Sequence, residues 1–191
     1  MISPGTLILI TCALTFPGIN VHVSELKLTT GKVRGQTEHF IVERIPFTDS
    51  DGQPFWINPR VASPFADLVE AANKEGYFVS INSAHRTPQE QRKLWLAMPD
   101  IAGHPDHGSE RSHQTGYAID IAGTSKPFSH FYVREWQQKH NRKMHLAHCD
   151  KRSWGYKCPT VFYWWLKRNA HRFGFYENVK SERWHWTYLG K

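Results

Sequence analysis

Alternating apolar and polar residues indicate the strands of this chain. In RSHQTGYAIDIAG (111–123), Tyr117, Ile119 and Ile121 share one face of a predicted strand, and Asp120 lies between two alanines on the other. Further β-rich segments are HFIVERI, YFVSIN and the final WHWTYL. A carboxylate in a buried strand is costly to desolvate without a partner, so Asp120 requires a compensating group.

Helix signals lie between these strands. Ser63 is predicted to cap a helix with Pro64 at its first position, and Gly76 is predicted to end that helix. The capping box at 87–90, with a proline at the first helical position, predicts a second helix. Residues 161–175 predict a third, aromatic-rich helix. Because helices and strands mix without regular βαβ alternation, we predict an α+β fold with a mainly antiparallel central sheet flanked by helices.

The length of 191 residues allows one well-cored domain with some additions. The apolar run from Leu7 to Phe16 is too short to span a bilayer and fits the core of a secretory signal, although an ordinary N-terminal strand is the alternative. We therefore predict a signal peptide over 1–24, an N-terminal extension over 25–60 packed on the core, and the main domain over 61–191.

The composition is that of a globular protein, with 40% hydrophobic and 14% aromatic residues. A formal net charge of +7 favours polyanionic partners, among them nucleic acid, anionic lipid and acidic cell-wall polymers. No known nucleic-acid-binding motif occurs, so we predict no nucleic-acid partner. We also predict a monomer with no stable membrane span once the signal is removed.

The cysteines favour an oxidising compartment. Cys12 falls in the predicted signal, and Cys149 and Cys158 bracket a short polar loop, as a local disulfide would. A reduced pair, typical of a cytosolic protein, is one alternative. The other is a zinc site with His145 and His148, whose spacing matches no common structural zinc pattern.

One set of residues has the composition of a catalytic zinc site. Such a site takes three nitrogen or oxygen ligands and keeps a position open for water. His113 and Asp120 offer an imidazole and a carboxylate, and Gly116 lets the chain turn between them. His185 is the best third candidate because Glu182, three residues earlier, could act as general base.

Other interpretations of the same residues remain open at this point. A buried aspartate is more often satisfied by backbone N–H groups or an arginine. With 12 histidines in the chain, metal-like spacings also arise by accident, and His104, Asp106 and His107 form one rival cluster.

Three segments in order, SAHRT, SHQTGYAID and ERWHW, resemble those of the LAS-type metallopeptidases, which include lysostaphin-like enzymes, D-Ala-D-Ala peptidases and sonic hedgehog. SHQTGYAID resembles the group's S-x-H-x-x-G-x-A-x-D motif, and ERWHW its E-x-W-H motif. WLKRNAHRFGF (165–175) and SAHRTPQEQ resemble segments of the VanY-type D-alanyl-D-alanine carboxypeptidases. Where that family has Gly-Tyr before the arginine, this chain has Ala84-His85, which replaces an aromatic at the pocket wall by a group that titrates near neutral pH.

The resemblance implies His113, Asp120 and His185 as ligands of one catalytic Zn²⁺, with Glu182 as the catalytic base. It implies that Arg86 stabilises the oxyanion or holds the terminal carboxylate of the peptide. The implied substrate contacts are Ser112, Gln91 and Trp184.

The activity implied by the resemblance is that of a periplasmic or secreted zinc carboxypeptidase with a hedgehog/D,D-peptidase-like zinc fold over 61–191. A metal-activated water would hydrolyse the terminal D-alanine from peptidoglycan stem peptides. The alternatives are a lysin-like peptidoglycan endopeptidase with the same zinc site and a non-catalytic, zinc-stabilised cell-wall-binding module.

Overall fold

The structure is a computed structural model that describes residues 24–99, 102–127, 150–152 and 155–190. The predicted signal peptide lies outside these residues apart from Ser24. Cys12 and Cys149 also lie outside them, and so do His145 and His148.

Within the described residues the chain forms strands that pair only in antiparallel fashion, together with three α-helices. The strands are β1 (Leu26–Val33), β2 (Gln36–Thr48), β3 (Pro54–Ile57), β4 (Ile81–Ser83), β5 (Ala118–Ile121), β6 (Ser125–Pro127), β7 (Asp150–Arg152), β8 (Gly155–Pro159), β9 (Phe175–Tyr176) and β10 (His185–Tyr188). The helices are α1 (Pro59–Lys74), α2 (Pro88–Ala97) and α3 (Val161–Asn169). The predicted α+β class is confirmed.

The central sheet has the strand order β4-β5-β10-β9. Its inner face packs against α1 and α3, and both of those helices contribute fully buried side chains to one hydrophobic core. The core is built around Phe65, Leu68, Ile119, Ile121, Trp165, Leu166 and Trp186. Because β5 is buried on both faces, Asp120 is enclosed, as the alternation in the sequence predicts.

The N-terminal sheet has the order β1-β2-β3 and joins the main domain through its buried residues. Ile45 and Ile57 belong to the same core as the central sheet. The outer strand β1 has one edge that no strand of this sheet covers, and that edge faces the segment just before β5.

The first helix begins five residues earlier than the sequence indicates. Its N-cap is Asn58, whose side chain accepts a hydrogen bond from the Arg60 backbone N–H, and Pro59 occupies the first turn. Ser63 and Pro64 lie inside the helix instead. The prediction was wrong because Asn58-Pro59 offers the same cap-plus-proline signal, and the helix extends to the earlier one.

The second helix begins as predicted. Thr87 and Glu90 form the reciprocal capping box, and Pro88 starts the helix. The third helix is α-helical to Asn169, continues as a 3₁₀ turn, and ends at Gly174, which has a φ of 82°.

The described part of the connection over 123–159 contains a small sheet of order β6-β8-β7. Cys158 lies buried on β8. Its expected partner, Cys149, is outside the described residues, so the disulfide stays a prediction. Among the described residues no helix has the length and apolar character that crossing a membrane requires.

Candidate functional site

Three potential ligand atoms converge at the edge of the central sheet. The Nε2 atom of His113 lies 3.1 Å from Asp120 Oδ1 and 3.2 Å from His185 Nδ1. His185 Nδ1 lies 3.2 Å from the same Asp120 oxygen. Among the described residues, these three side chains form the one group that could hold a metal ion. Each of them is no more than 9% exposed.

Two of these residues are positioned by strand register. Asp120 on β5 is the direct antiparallel partner of His185 on β10, so both side chains stand on the same face of the sheet. His113 comes from a 3₁₀ turn (113–115) that precedes β5. Gly116 follows that turn with a φ of 75°, and a Cβ there would lie 2.6 Å from the Asn58 backbone nitrogen. Only glycine meets both conditions without a shift of the chain.

The hydrogen bonds of the two imidazoles fix which nitrogen of each ring faces the centre. His113 Nδ1 is 2.7 Å from the carbonyl oxygen of Ala84, which can only accept, so Nδ1 carries the proton and Nε2 presents its lone pair. His185 Nε2 lies 3.2 Å from Thr187 Oγ1, whose own proton is donated to Asn178 Oδ1 at 2.9 Å. His185 Nε2 therefore donates to Thr187, and His185 Nδ1 presents its lone pair to the centre.

Three acceptors thus face one another at hydrogen-bond distance, an arrangement that requires a cation or added protons. Burial lowers the pKa of His113, so protonation of that ring is disfavoured. Two imidazoles and one carboxylate are a common ligand set for catalytic Zn²⁺. The donor set and its geometry therefore fit a zinc ion.

Asp120 is held in its ionised form. Burial alone would raise its pKa, but the two imidazoles and Arg86 outweigh burial and hold the pKa well below its usual range. Arg86 Nη2 lies 3.5 Å from Asp120 Oδ2. Burial lowers the pKa of Arg86, and its Nε is buried with no hydrogen-bond partner among the described residues. Arg86 therefore retains an unused donor beside the ligands.

Glu182 lies at the turn that leads into β10. Its Oε2 is 3.8 Å from His185 Nδ1, and its side chain is 21% exposed. The backbone N–H of His185 donates to the Glu182 carbonyl, which fixes the turn. A carboxylate with partial solvent access now stands next to the three ligands.

The site opens into a cleft of about 1070 Å³. All three predicted substrate contacts, Ser112, Gln91 and Trp184, line it. The Ser112 hydroxyl donates to the Ser109 carbonyl, and the Gln91 amide donates to the Gly103 carbonyl at 2.7 Å. Both side chains therefore also hold the cleft wall.

Two details of the motifs need correction. The S-x-H motif places its serine two residues before the histidine, and that position is Arg111 rather than Ser112. Arg111 lines the cleft and donates to the Tyr188 carbonyl at 3.1 Å. His85 is absent from the cleft wall, and burial lowers its pKa to about 4, so it does not titrate near neutral pH.

The rival cluster of His104, Asp106 and His107 does not converge. His104 Nδ1 accepts from the Asp106 backbone N–H, and the two histidine rings lie 4.7 Å apart between centroids. Both histidines line the cleft, but among the described residues only His113, Asp120 and His185 bring three potential ligand atoms together.

Sequence reasoning missed Thr187, Asn178 and the Ala84 carbonyl as supports of the ligands. Thr187 could have been found, since it is two residues from His185 on a predicted strand and so shares its face. The Ala84 carbonyl has no sequence signal because any residue offers one. Asn178 is also a residue of the cleft wall.

A family model described as VanY, D-alanyl-D-alanine carboxypeptidase, matches residues 55–191. No curated protein matches the chain. Among solved structures, the chain is similar to VanYB in complex with D-alanine-D-alanine, at 21% identity over 78% of each chain with a TM-score of 0.46. It is similar to a mutant of the vancomycin-resistance D,D-pentapeptidase VanY from the VanB-type cassette in complex with Zn(II), at 22% identity over 78% of this chain and 79% of that one, with a TM-score of 0.45. A third structure, the LdcB LD-carboxypeptidase, is 20% identical over 76% of this chain and 66% of that one, with a TM-score of 0.48.

Proposed function

The chain belongs to the VanY family of D-alanyl-D-alanine carboxypeptidases, and from this we propose that it removes the terminal D-alanine from peptidoglycan stem peptides with the help of one zinc ion. The observation that carries the proposal is the convergence of His113, Asp120 and His185 at 3.1–3.2 Å, with the Glu182 carboxylate beside them. Bound zinc supplies Lewis-acid polarisation of the scissile carbonyl and a water nucleophile at neutral pH.

Glu182 is the proton carrier in this proposal. Its carboxylate takes a proton from the attacking water and later passes it to the departing amine nitrogen of D-alanine. The 21% exposure of its side chain gives water access, while the short turn to His185 keeps the carboxylate beside the reacting centre. Proton transfer by a positioned carboxylate contributes on the order of 10²–10⁴ in rate.

Arg86 is the cationic partner of the substrate. Its side chain lines the cleft and is 18% exposed, and its Nη2 reaches Asp120 at only 3.5 Å, so the guanidinium has donors available for an oxygen anion. That anion is the developing oxyanion or the terminal carboxylate of the peptide. Loss of a comparable donor in other oxyanion holes lowers turnover by about 10²–10³.

Access to peptidoglycan requires an extracytoplasmic enzyme. The proposal therefore includes the signal peptide over 1–24, the Cys149–Cys158 disulfide and a periplasmic or secreted location. It also includes residues 25–60 as an extension packed on the core, and Ser112, Gln91 and Trp184 as residues that line the path of the peptide.

The test is a digest of purified muropeptides with the full chain, followed by mass spectrometry and metal analysis. We expect the protein to contain about one zinc per chain and to remove a single alanine from pentapeptide stems. A chelator should abolish the reaction, and added Zn²⁺ should restore it. Two larger fragments in place of alanine loss would identify an endopeptidase instead.

The matched variant is Glu182→Gln, which keeps the size of the side chain but cannot accept the proton. We expect it to retain zinc and to turn over more slowly than wild type by a factor of about 10²–10⁴. A wild-type protein that binds zinc but releases no product, with properties that E182Q leaves unchanged, would identify a binding module rather than an enzyme.

A further inference from the structure

We propose that the first hairpin (β1 and β2, residues 26–48) is a positioning device for the ligand loop (residues 105–116), which carries His113 and one wall of the cleft. The inference rests on the proposed zinc function for its consequences but not for its geometry. The family match begins at residue 55, so this hairpin lies before it.

The hairpin and the ligand loop are joined by hydrogen bonds at the free edge of β1. Strand β1 is at the edge of its sheet, where unpaired backbone N–H groups need acceptors. The Lys32 N–H donates to the side-chain Oε1 of Gln114 at 2.9 Å, and the Arg34 N–H donates to the Gly108 carbonyl at 2.9 Å. The ligand loop therefore pairs with the hairpin at its turn end, through Lys32 of β1 and Arg34 of the turn.

Gln114 is the residue that joins the two parts. It is 3% exposed and directly follows His113. While its Oε1 accepts from Lys32, its Nε2 donates to the Pro105 carbonyl at 2.6 Å, at the other end of the loop. One buried amide thus connects the strand edge to both ends of the ligand loop.

The fit is close enough that two glycines are required. A Cβ at Gly31 would lie 2.3 Å from the Gln114 carbonyl oxygen, and a Cβ at Gly108 would lie 2.0 Å from the Lys32 carbonyl oxygen. Both neighbouring atoms belong to the backbone, which cannot rotate away as a side chain can. The loop can therefore occupy its position only against a bare backbone.

The consequence concerns both metal and substrate. The loop carries His113, and its residues Gly108, Ser109 and Ser112 line the cleft. A shift of the loop relative to the central sheet would separate His113 Nε2 from Asp120 and His185, which the sheet holds independently. We therefore expect weaker zinc binding and a higher KM when the hairpin contact is broken.

The test uses the full chain with Gln114→Met, which keeps length but removes both hydrogen bonds, and Gly31→Ala, which pushes on the loop. The control is Gly52→Ala, which strains the β2–β3 turn at a positive φ but has nothing within 4 Å of its Cβ position, so it destabilises the chain without contacting the loop. Zinc affinity is measured by competition with a chromogenic chelator, KM with muropeptides, and backbone mobility by hydrogen exchange.

We expect Q114M and G31A to lower zinc affinity by roughly 10–100-fold, the range found for residues that orient metal ligands. Amides of residues 108–116 should exchange faster in both variants without metal, and not in G52A. Equal zinc affinity, KM and exchange in Q114M, G52A and wild type would overturn the proposal, even if G31A failed to fold. A wild type without zinc affinity would overturn the proposed function instead, and the exchange data would still decide the role of the hairpin.

Discussion

The two sides of the ligand cluster are built by different means. Asp120 and His185 face each other as partners on adjacent strands, so the register of the central sheet sets their spacing. His113 lies on a loop that is held by the Ala84 carbonyl and by Gln114. The sheet side is therefore set by backbone pairing. The loop side depends on the Gln114 side chain and on the close approach that Gly31 and Gly108 allow.

The largest expected effect comes from the sheet side itself. His185→Gln removes a ligand while leaving a polar side chain on the same strand. We expect zinc affinity to fall by more than about 100-fold, since even indirect supports of ligands are worth about 10–100-fold. Chelator competition and metal content measure this, and zinc affinity equal to that of wild type would remove His185 from the ligand set.

The next effect tests the support behind that ligand. Thr187→Val keeps shape at a position of 0% exposure but removes the acceptor for His185 Nε2 and the donor to Asn178. We expect zinc affinity to fall by about 10–100-fold because the ring loses its fixed tautomer.

The matched variant is Thr187→Ser, which retains the hydroxyl and should bind zinc nearly as well as wild type. Equal losses in T187V and T187S would show that packing of the methyl group, rather than the hydrogen bond, holds His185.

A third prediction concerns the effect of acid on the free energy of unfolding, next to the carbonyl of Ala84 that holds His113. His85 follows Ala84, and burial lowers its pKa to about 4 from an ordinary 6.5. The folded state therefore binds fewer protons than the unfolded state between these values, so its contribution is full above pH 6.5 and is lost as pH falls towards 4. At about 1.4 kcal/mol per pH unit, the free energy of unfolding should fall by about 2 kcal/mol from pH 7 to pH 5 on account of His85.

Urea unfolding at both pH values, with His85→Phe alongside, measures this contribution. The variant should lose about 2 kcal/mol less than wild type over the same interval. The control is His171→Gln, an exposed histidine, which should follow wild type. A wild type and H85F with the same pH dependence would contradict the prediction.

The smallest effect on stability and zinc affinity is expected from the exposed ion pair beside the contact between the hairpin and the ligand loop. Arg34 and Glu110 form an ion pair of 2.9 Å, but their side chains are 81% and 67% exposed. Arg34→Ala keeps the backbone N–H that donates to Gly108, so we expect a change of about 0.5 kcal/mol or less in unfolding free energy. Zinc affinity should stay within about twofold of wild type, and a larger loss would assign the positioning role to the ion pair.

The same contrast explains how far the sequence could predict this molecule. The strand carrying Asp120, the capping box at Thr87 and the final strand with His185 follow from local periodicity and capping, and the structure has them. The start of α1 was misplaced because two cap-plus-proline signals, at Asn58 and Ser63, lie only five residues apart. Local patterns do not decide between such signals.

The loop side could not have been predicted, for a physical reason. Its supports are a backbone carbonyl at Ala84 and a side-chain amide at Gln114 that meets Lys32, 82 residues away along the chain. Carbonyls are the same at every residue, and a glutamine that pairs with a distant strand edge has no periodicity. Such contacts become visible only once the chain is folded.

The separation of Lys32 and Gln114 also has a kinetic meaning. Contacts between residues 82 positions apart close a long loop, and the entropy of that closure must be met before the contact contributes. The Asp120–His185 pair, 65 positions apart, joins two strands that are central to the main core. The two loop closures differ by only about 0.2 kcal/mol in entropy, so we expect the sheet to form earlier because its strands join the main core, and the ligand loop to reach its final shape when the N-terminal hairpin docks. The completion of the site would then be a late folding event that waits for the docking of the hairpin at residues 26–48.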